Sequence, residues 1–332
     1  MSGNDLTVSA LGEQKVLQAI ADRIPPPPPG ETWGGDDTAI FPCPGQNLLF
    51  TIDMLVEGLD FDFSYCSGED AGWKAMAANV SDIASMGGRA SRAVTSLSLP
   101  SDTEMDVVNG VCDGLATAAE EWGVGLSGGD LSGGEQVTIS VALLGWVEGS
   151  AVRRAGAQDG DAICVTGTLG GASAGLRILR GDPPALDVEG RDHLVGRQLR
   201  PRARMEQGEA LRRAGATAMI DISDGLAVDL GHLCDASHLG CVVDAGSIPI
   251  DPSLAGLEGA QSLELAVTGG EDFELLFTID PERLEEARGL VSALEGSIPF
   301  TRIGTMGGSE RSLGERDLEE WRVLGWEHLR GG

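Results

Sequence analysis

The chain has 332 residues, 42% of them hydrophobic, and this length suggests about two domains. Its 52 acidic and 23 basic residues give a formal net charge of −29, which argues against nucleic acid or an anionic membrane as a partner, since both need a basic surface. The only lysines are Lys15 and Lys74, and neither follows a glycine, so a P-loop nucleotide site is excluded.

The cysteines and the hydropathy pattern indicate the cellular compartment in which the protein is expected. The six cysteines are scattered without C-x-x-C spacing, which indicates reduced structural thiols rather than a zinc ribbon or a redox pair. No charge-free apolar run approaches the ~20 residues of a membrane helix. The first residues lack the basic-then-apolar layout of a signal peptide. We therefore expect a cytoplasmic protein that does not bind or cross a membrane.

In chain order, the first half of the sequence alternates helical and strand patterns. A helical pattern at 13–24 meets the proline run at 25–29, which must end it. The patterns that follow predict a strand at 48–53, a helix at 71–86, a strand at 93–99, a helix at 106–122 and a strand at 137–147. Glycine-rich turns are predicted at 34–37 and 127–130.

The second half repeats this alternation after a polar segment at 148–161, which is predicted to join units 1–148 and 149–332. Strands are predicted at 162–168, 218–221, 241–244, 263–267, 274–279 and 300–303. Helices are predicted after residue 168, over 226–233 and near 281–294. Strands alternating with helices in both halves indicate a mixed α/β protein of two units.

Acidic residues recur where predicted elements begin or end, often beside glycine. They are Asp36, Asp37, Asp53, Asp82, Asp130, Asp221, Asp224, Glu271 and Asp272. One such residue has an ordinary explanation as a helix cap or turn residue. Six separate turns with the same chemistry favour a shared site, although purely structural roles stay open for each residue.

If these carboxylates converge, they repel one another unless cations lie between them. Oxygen ligands without clustered histidine or cysteine favour Mg²⁺ over zinc or copper. Neighbouring glycines allow backbone N–H groups to approach an anion closely. The sequence therefore predicts a site for nucleotide phosphates that lies outside the P-loop class.

None of the four histidines lies in these acid–glycine turns, and the sequence has no G-x-S-x-G motif. Phosphoryl transfer depends mainly on positioning and charge neutralisation, so a missing histidine is tolerable. An acceptor that is itself a phosphate is already anionic near pH 7 and needs no general base.

At these residues the sequence resembles the thiamine-monophosphate kinase family, within the superfamily that includes aminoimidazole ribonucleotide synthetase. The resemblance runs in order from Gly34 to the C-terminus. The matching segments are 34–39 (GGDDTA), 51–58 (TIDMLVEG), 73–87 (WKAMAANVSDIASMG), 128–130 (GGD), 165–170 (VTGTLG), 220–226 (IDISDGL), 269–275 (GGEDFEL) and 325–328 (GWEH).

The resemblance implies transfer of a phosphoryl group from ATP to thiamine monophosphate, directly and in line, with several Mg²⁺ ions. It also implies an N-terminal domain that pairs in a homodimer and a C-terminal α/β domain. Implied metal ligands are Asp37, Thr51, Asp53, Asp82, Asp130, Asp221 and Asp224, of which Asp53, Asp130 and Asp224 are expected to be catalytic. Implied nucleotide contacts are Gly129, Asp130, Arg154 and Ser223, and implied substrate contacts are Asp60, Glu271 and Trp326.

Three positions depart from the family pattern. Ile52 stands where a threonine is usual, so a hydroxyl ligand is lost. Asp60 stands in place of a substrate histidine; its charge attracts a cationic ring but repels a phosphate. Leu131 replaces the threonine that usually follows Gly-Gly-Asp.

Two alternatives stay open. One is a sister ATP-dependent enzyme with another acceptor, although the chain lacks the N-terminal cysteine and lysine of selenophosphate synthetases and the C-terminal cysteine of hydrogenase-maturation relatives. The other is a nucleotide-binding regulator without catalysis, against which the retained acids argue.

Overall fold

The computed structural model describes residues 12–23, 26–182, 188–296 and 298–325. Within these ranges no helix has the length and apolar character needed to span a membrane. The described residues form two sheets with helices packed against them, so the predicted mixed α/β fold is confirmed. The division of the chain at residue 148 stays a prediction.

The first part of the chain builds a five-stranded sheet in the order β1-β2-β5-β3-β4. Its elements are α1 (Glu13–Ala21), β1 (Ala39–Cys43), β2 (Gln46–Val56), α2 (Gly68–Ser85), β3 (Arg89–Leu99), α3 (Met105–Glu121), β4 (Gly125–Gly133) and β5 (Thr138–Val147). Neighbouring strands are antiparallel except for β3 and β4, which are parallel.

Helix α2 lies at the centre of this part. Ser67 caps its first turn and forms a reciprocal capping box with Asp70. Helices α2 and α3 touch at backbone level: a Cβ atom at Gly72 would lie 2.2 Å from the carbonyl oxygen of Val111. This close contact lets α2 pack against both α3 and the sheet, so that almost all of it is buried.

Helix α2 packs on one face of the five-stranded sheet, against β2, β3 and β5. Side chains alternate along β2, so Leu49, Thr51, Asp53 and Leu55 face the helices, and Phe50, Ile52 and Met54 point the other way. We call this other side the open face. It carries large apolar side chains that are 38% to 64% exposed: Phe50, Ile52, Met54, Val94 and Trp146.

The rest of the chain builds a seven-stranded sheet in the order β12-β11-β8-β10-β6-β9-β7. Its strands are β6 (Ala162–Thr166), β7 (Ala218–Asp221), β8 (Cys241–Val243), β9 (Leu275–Ile279), β10 (Phe300–Met306), β11 (Arg311–Leu313) and β12 (Arg316–Asp317). Its helices are α4 (Gly171–Leu179), α5 (Val188–Leu199), α6 (Met205–Ala214), α7 (Leu226–Ser237), α8 (Gly259–Thr268), α9 (Leu284–Ser292) and α10 (Leu318–Arg322). Every residue of β6, β7 and β9 is buried, in keeping with sequences that are apolar except for Thr166, Asp221 and Thr278.

Two local predictions were wrong. The segment 263–267, predicted as a strand, lies in helix α8, where the consecutive residues Leu265, Ala266 and Val267 are all buried. A short apolar run does not by itself distinguish a strand from a buried helix. The predicted turn at 127–130 lies within β4, where a Cβ atom at Gly129 would lie 1.9 Å from the carbonyl oxygen of Thr95. Glycine is needed there for close strand contact rather than for a turn.

Candidate active site

A cleft of about 420 Å³ brings most of the predicted site residues together. It runs along β2 beyond residue 50, where β1 no longer pairs with that strand. Helix α2 and the turn between β7 and α7 form its other walls. The predicted residues that line it are Asp37, Thr51, Asp53, Asp60, Asp82, Arg154, Asp221, Ser223, Asp224 and Glu271.

One end of the cleft, here called the acid end, is formed by Asp37, Asp82 and Asp221. Each contributes a carboxylate oxygen, and these three oxygens lie within 4.8 Å of one another. Asp82 comes from α2 and Asp221 from the last residue of β7. The acid end thus combines three segments that are far apart in the sequence.

Hydroxyl groups complete the acid end. Ser81 donates to Oδ2 of Asp221 at 2.6 Å, and Ser85 donates to Oδ2 of Asp37 at 2.6 Å. Thr51 on β2 donates to Oδ2 of Asp82 at 2.5 Å. The sequence predicted Thr51 but missed both serines, although their spacing around Asp82 on one helix is a signal that could have found them.

Burial and nearby negative charge raise the pKa of two of these acids, Asp82 and Asp221. Burial, followed by the nearby charges of Asp53, Asp221 and Asp37, raises the pKa of Asp82 well above its usual value. Burial, followed by the charge of Asp37, raises the pKa of Asp221 to about 8. A divalent cation would hold these carboxylates ionised, and a donor set of carboxylate and hydroxyl oxygens fits Mg²⁺.

Arg154 supplies positive charge at the acid end. Its Nε donates to Oδ1 of Asp37 at 3.0 Å, and its backbone N–H donates to Oδ1 of Asp36 at 2.7 Å. Although the guanidinium is mostly buried, the charge of Asp37 raises its pKa above the usual value. Arg154 is therefore part of the cleft and not a solvated charge in the segment that joins the two halves.

The turn between β7 and α7 is held by a residue that the sequence analysis missed. Asp229 accepts three consecutive backbone N–H groups on Oδ2, from Ser223 at 3.1 Å, Asp224 at 3.2 Å and Gly225 at 3.1 Å. Asp229 is buried and also lies close to Asp224 and His232. It fixes the position of the two predicted site residues in this turn.

The other end of the cleft, here called the lysine end, is formed by Lys74, Asp60, Glu271 and Gln198. The buried ammonium of Lys74 is ion-paired with Oε1 of Glu271 and donates to the backbone carbonyl of Asp60 at 2.9 Å. Gln198 Nε2 donates to Oε2 of Glu271 at 2.5 Å. The sequence analysis assigned no role to Lys74 or Gln198, although the rarity of lysine in this chain is a usable signal.

Two of the described predicted residues, Gly129 and Asp130, do not line the cleft. Asp130 pairs with Ser96, which pairs with Ser140, which pairs with Met54. Asp130 therefore lies on the open face, three strands and about 14 Å from β2. Gly129 precedes it on β4, and Trp326 lies outside the described residues.

Comparisons with known proteins agree with this architecture. Family models of AIR synthase related proteins match residues 35–147 (N-terminal domain) and 158–314 (C-terminal domain). The thiamine-monophosphate kinase of Escherichia coli K12 is 36% identical over 96% of this chain and 99% of its own length. That of Rhodopirellula baltica is 33% identical over 89% and 90%. The solved structure of AaThiL complexed with AMPPCP and TMP superposes with a TM-score of 0.82 at 32% identity, covering 98% of this chain and all of that one.

Proposed function

This chain belongs to the AIR synthase related family and, within it, to the thiamine-monophosphate kinases, and we propose that it transfers the γ-phosphoryl group of ATP to thiamine monophosphate. The observation that carries the proposal is the acid end, where Asp37, Asp82 and Asp221 converge in a chain that matches such kinases over most of its length. The product is thiamine diphosphate, so the enzyme is a thiamine-phosphate kinase that uses ATP as co-substrate.

The acid end suits the phosphates of ATP when Mg²⁺ is present. Asp37, Asp82 and Asp221 would hold the metal, with Thr51 and Asp53 beside them. Bound there, Mg²⁺ would neutralise phosphate charge during transfer. Arg154 adds a fixed positive charge, and the turn held by Asp229 sets Ser223 and Asp224 at the cleft wall.

No histidine occurs among the described residues that line the cleft. None is needed, because the attacking group is a phosphate oxygen that is already anionic near neutral pH. Catalysis then depends on holding two phosphates in line while their charges are neutralised. Asp224 is assigned to the same phosphate site as Asp53, because both residues line the cleft.

The lysine end suits the rings of thiamine monophosphate. Glu271 and Asp60 place negative charge near a cationic ring, and Leu59, Tyr65 and Phe273 line the same cleft. The side chain of Asp60 accepts the backbone N–H of Val56 at 2.8 Å, which fixes its direction. Stacking of Trp326 on the substrate stays a prediction.

A homodimer formed through the open face explains the position of Asp130. Exposed apolar surface of this kind is typical of an interface between copies of a chain. The open face is continuous with the cleft, because Ile52 and Met54 border both. Gly129 and Asp130 would then lie at the interface, close enough to serve the acid end of the partner subunit.

The function is tested by incubating purified protein with Mg²⁺, ATP and thiamine monophosphate and measuring thiamine diphosphate. Formation of ADP only with another acceptor would favour a sister enzyme. Binding of ATP without turnover of any acceptor would favour a regulator. Either result contradicts the proposal.

The dimer is tested by sedimentation of wild type and of the double variant Ile52→Asp/Met54→Asp. We expect a dimer and a monomer, respectively. Val242→Asp, an equally exposed apolar position on β8, is the matched control and should remain dimeric. Asp130→Asn should reduce turnover by about 100-fold or more without changing the assembly. A monomeric wild type with full activity would contradict the dimer.

A further inference from the structure

Gln198 combines a fixed orientation with an unused acceptor. It lies in the last turn of α5, is 3% exposed and lines the cleft. Its Nε2 donates to Glu271, whereas its buried Oε1 has no hydrogen-bond partner among the described residues. A buried acceptor without a partner is unfavourable, so its presence calls for a ligand that supplies a donor.

The side-chain amide of Gln198 cannot rotate so that its oxygen and nitrogen exchange places. Ionised carboxylates only accept hydrogen bonds, so the NH₂ group of Gln198 must face Glu271. The other carboxylate oxygen of Glu271 is held by the buried ammonium of Lys74, which also donates to the carbonyl of Asp60. This chain of contacts leaves Oε1 of Gln198 as a fixed acceptor.

The backbone around Glu271 supports this rigid arrangement. Glu271 and Phe273 have φ angles of 67° and 49°, which are unusual for residues other than glycine. They are held by backbone N–H donation from Glu271 to Ser223 at 2.8 Å and from Phe273 to Ile222 at 2.9 Å. Backbone strain of this kind is typical of sites where a side chain must be placed accurately.

We propose that Gln198 is a specificity residue that accepts a hydrogen bond from the exocyclic amine of the aminopyrimidine ring of thiamine monophosphate. The proposal rests on the proposed function, because it is the aminopyrimidine amine of that substrate that carries its neutral N–H donors. The surroundings agree, since Tyr65, Leu176 and Phe273 offer flat or apolar walls for a ring.

The position of Gln198 separates its role from phosphoryl transfer. The contacts that lead from Gln198 through Glu271 end at Lys74, which lies eight residues before Asp82 on α2. This spacing corresponds to about 12 Å along a helix. Gln198 therefore acts on binding and orientation of the acceptor rather than on the transferring phosphate.

The test compares thiamine monophosphate with the analogue in which oxygen replaces the exocyclic amine. We expect wild type to prefer the amine by about tenfold or more in kcat/KM, since a site built for an N–H donor rejects an analogue without it. Gln198→Met should raise KM for thiamine monophosphate by about tenfold, leave KM for ATP unchanged and reduce the preference to within about threefold. Gln207→Met, at a buried glutamine that does not line the cleft, should keep the wild-type preference.

The preference is the ratio of the kcat/KM values for the two acceptors, measured on one preparation. A misfolded fraction lowers both values equally and therefore does not change the ratio. An unchanged preference in Gln198→Met, or an equal rise of both KM values, overturns the inference but leaves the kinase function intact. Equal use of both acceptors by wild type also overturns it and needs no variant. A wild type that forms no thiamine diphosphate overturns the proposed function itself.

Discussion

The acid end and the lysine end of the cleft differ in how their buried charge is compensated. At the acid end, carboxylates of like charge crowd within 4.8 Å of one another, and the pKa of Asp221 rises to about 8. At the lysine end, Glu271 is ion-paired with Lys74. The buried amide oxygen of Gln198 has no hydrogen-bond partner among the described residues. The first end holds uncompensated like charges, which is why we propose a cation there, whereas the second has an ion pair and one amide oxygen without a hydrogen-bond partner among the described residues.

The difference separates two tasks along one helix. Asp82 and Lys74 are both on α2, about 12 Å apart along its axis. At the acid end, buried carboxylates that repel one another destabilise the fold, which is the cost expected of the ion site proposed there. At the lysine end, the ion pair of Lys74 and Glu271 compensates one carboxylate within the protein, and Asp60 supplies the negative charge that we propose for a cationic acceptor.

The largest effect is expected from Asp82→Asn. Removing one charge from the acid end should lower kcat by about 100-fold or more, because the metal-positioned phosphate loses its stabilisation. Since burial and repulsion raise the pKa of Asp82, its ionised form costs stability as pH rises through that raised pKa. We therefore expect the variant without metal at pH 8.5 to unfold at the same or a higher temperature than wild type.

The matched control is Asp113→Asn, at an exposed acid on α3 that does not line the cleft. Its steady-state kinetics and its thermal unfolding should stay within about twofold and 1 °C of wild type. If Asp82→Asn kept its kcat, or lost both activity and stability together, the contrast between the two ends would break down.

A smaller effect is expected from Lys74→Met at the lysine end. Loss of one partner of a buried ion pair typically costs 2–5 kcal/mol, and because Glu271 is 30% exposed we expect about 2 kcal/mol. KM for thiamine monophosphate should rise, whereas KM for ATP should not. Denaturant unfolding and steady-state kinetics measure the two quantities.

The double variant Lys74→Met/Glu271→Gln sharpens this test. With both charges removed, most of the lost free energy of unfolding should return, while the weaker use of thiamine monophosphate persists. If the free energy of unfolding did not recover, or if the use of thiamine monophosphate recovered with it, Glu271 would not be held by Lys74 in the manner described.

Mg²⁺ alone should stabilise the folded protein. At about 100 times its dissociation constant, a ligand adds ~2.7 kcal/mol, which corresponds to several degrees in Tm for a chain of this size. NaCl at equal ionic strength should not do so, and Asp82→Asn should lose the effect. Thermal unfolding followed by circular dichroism is sufficient. An equal rise in Tm for wild type and Asp82→Asn would place the ion elsewhere.

The smallest effect is expected from Ile52→Thr. Restoring the family's hydroxyl should change kcat/KM for thiamine monophosphate by less than about threefold, because the side chain points to the open face while Thr51 and Asp53 point to the helices. Met54→Thr, two residues on and on the same face, is the control. A gain of tenfold would show that the side chain of Ile52 reaches the acid end.

Sequence reasoning succeeded where the information is local. The apolar runs of β6, β7 and β9 and the helical spacing of Met76, Val80 and Ile83 on α2 are patterns among neighbouring residues. The placement of Asp37, Asp82 and Asp221 near predicted element ends is equally local. In the structure, carboxylate oxygens of these three acids lie within 4.8 Å of one another, whereas their role as metal ligands stays a prediction. The helix at 259–268 was missed because a short apolar run is buried equally well as a strand or as a helix.

The sequence by itself determined the fold class, the family and which acidic residues are available to the acid end, because motifs and periodicity are patterns of neighbouring residues. Tertiary structure decided which partners these residues have. The bonds from Ser81 to Asp221 and from Gln198 to Glu271 join residues 140 and 73 positions apart. The sheet register decided that Asp130 lies on the open face, away from the acid end of its own chain. Such long-range contacts arise only when strands pair and helices pack, and no local pattern encodes them.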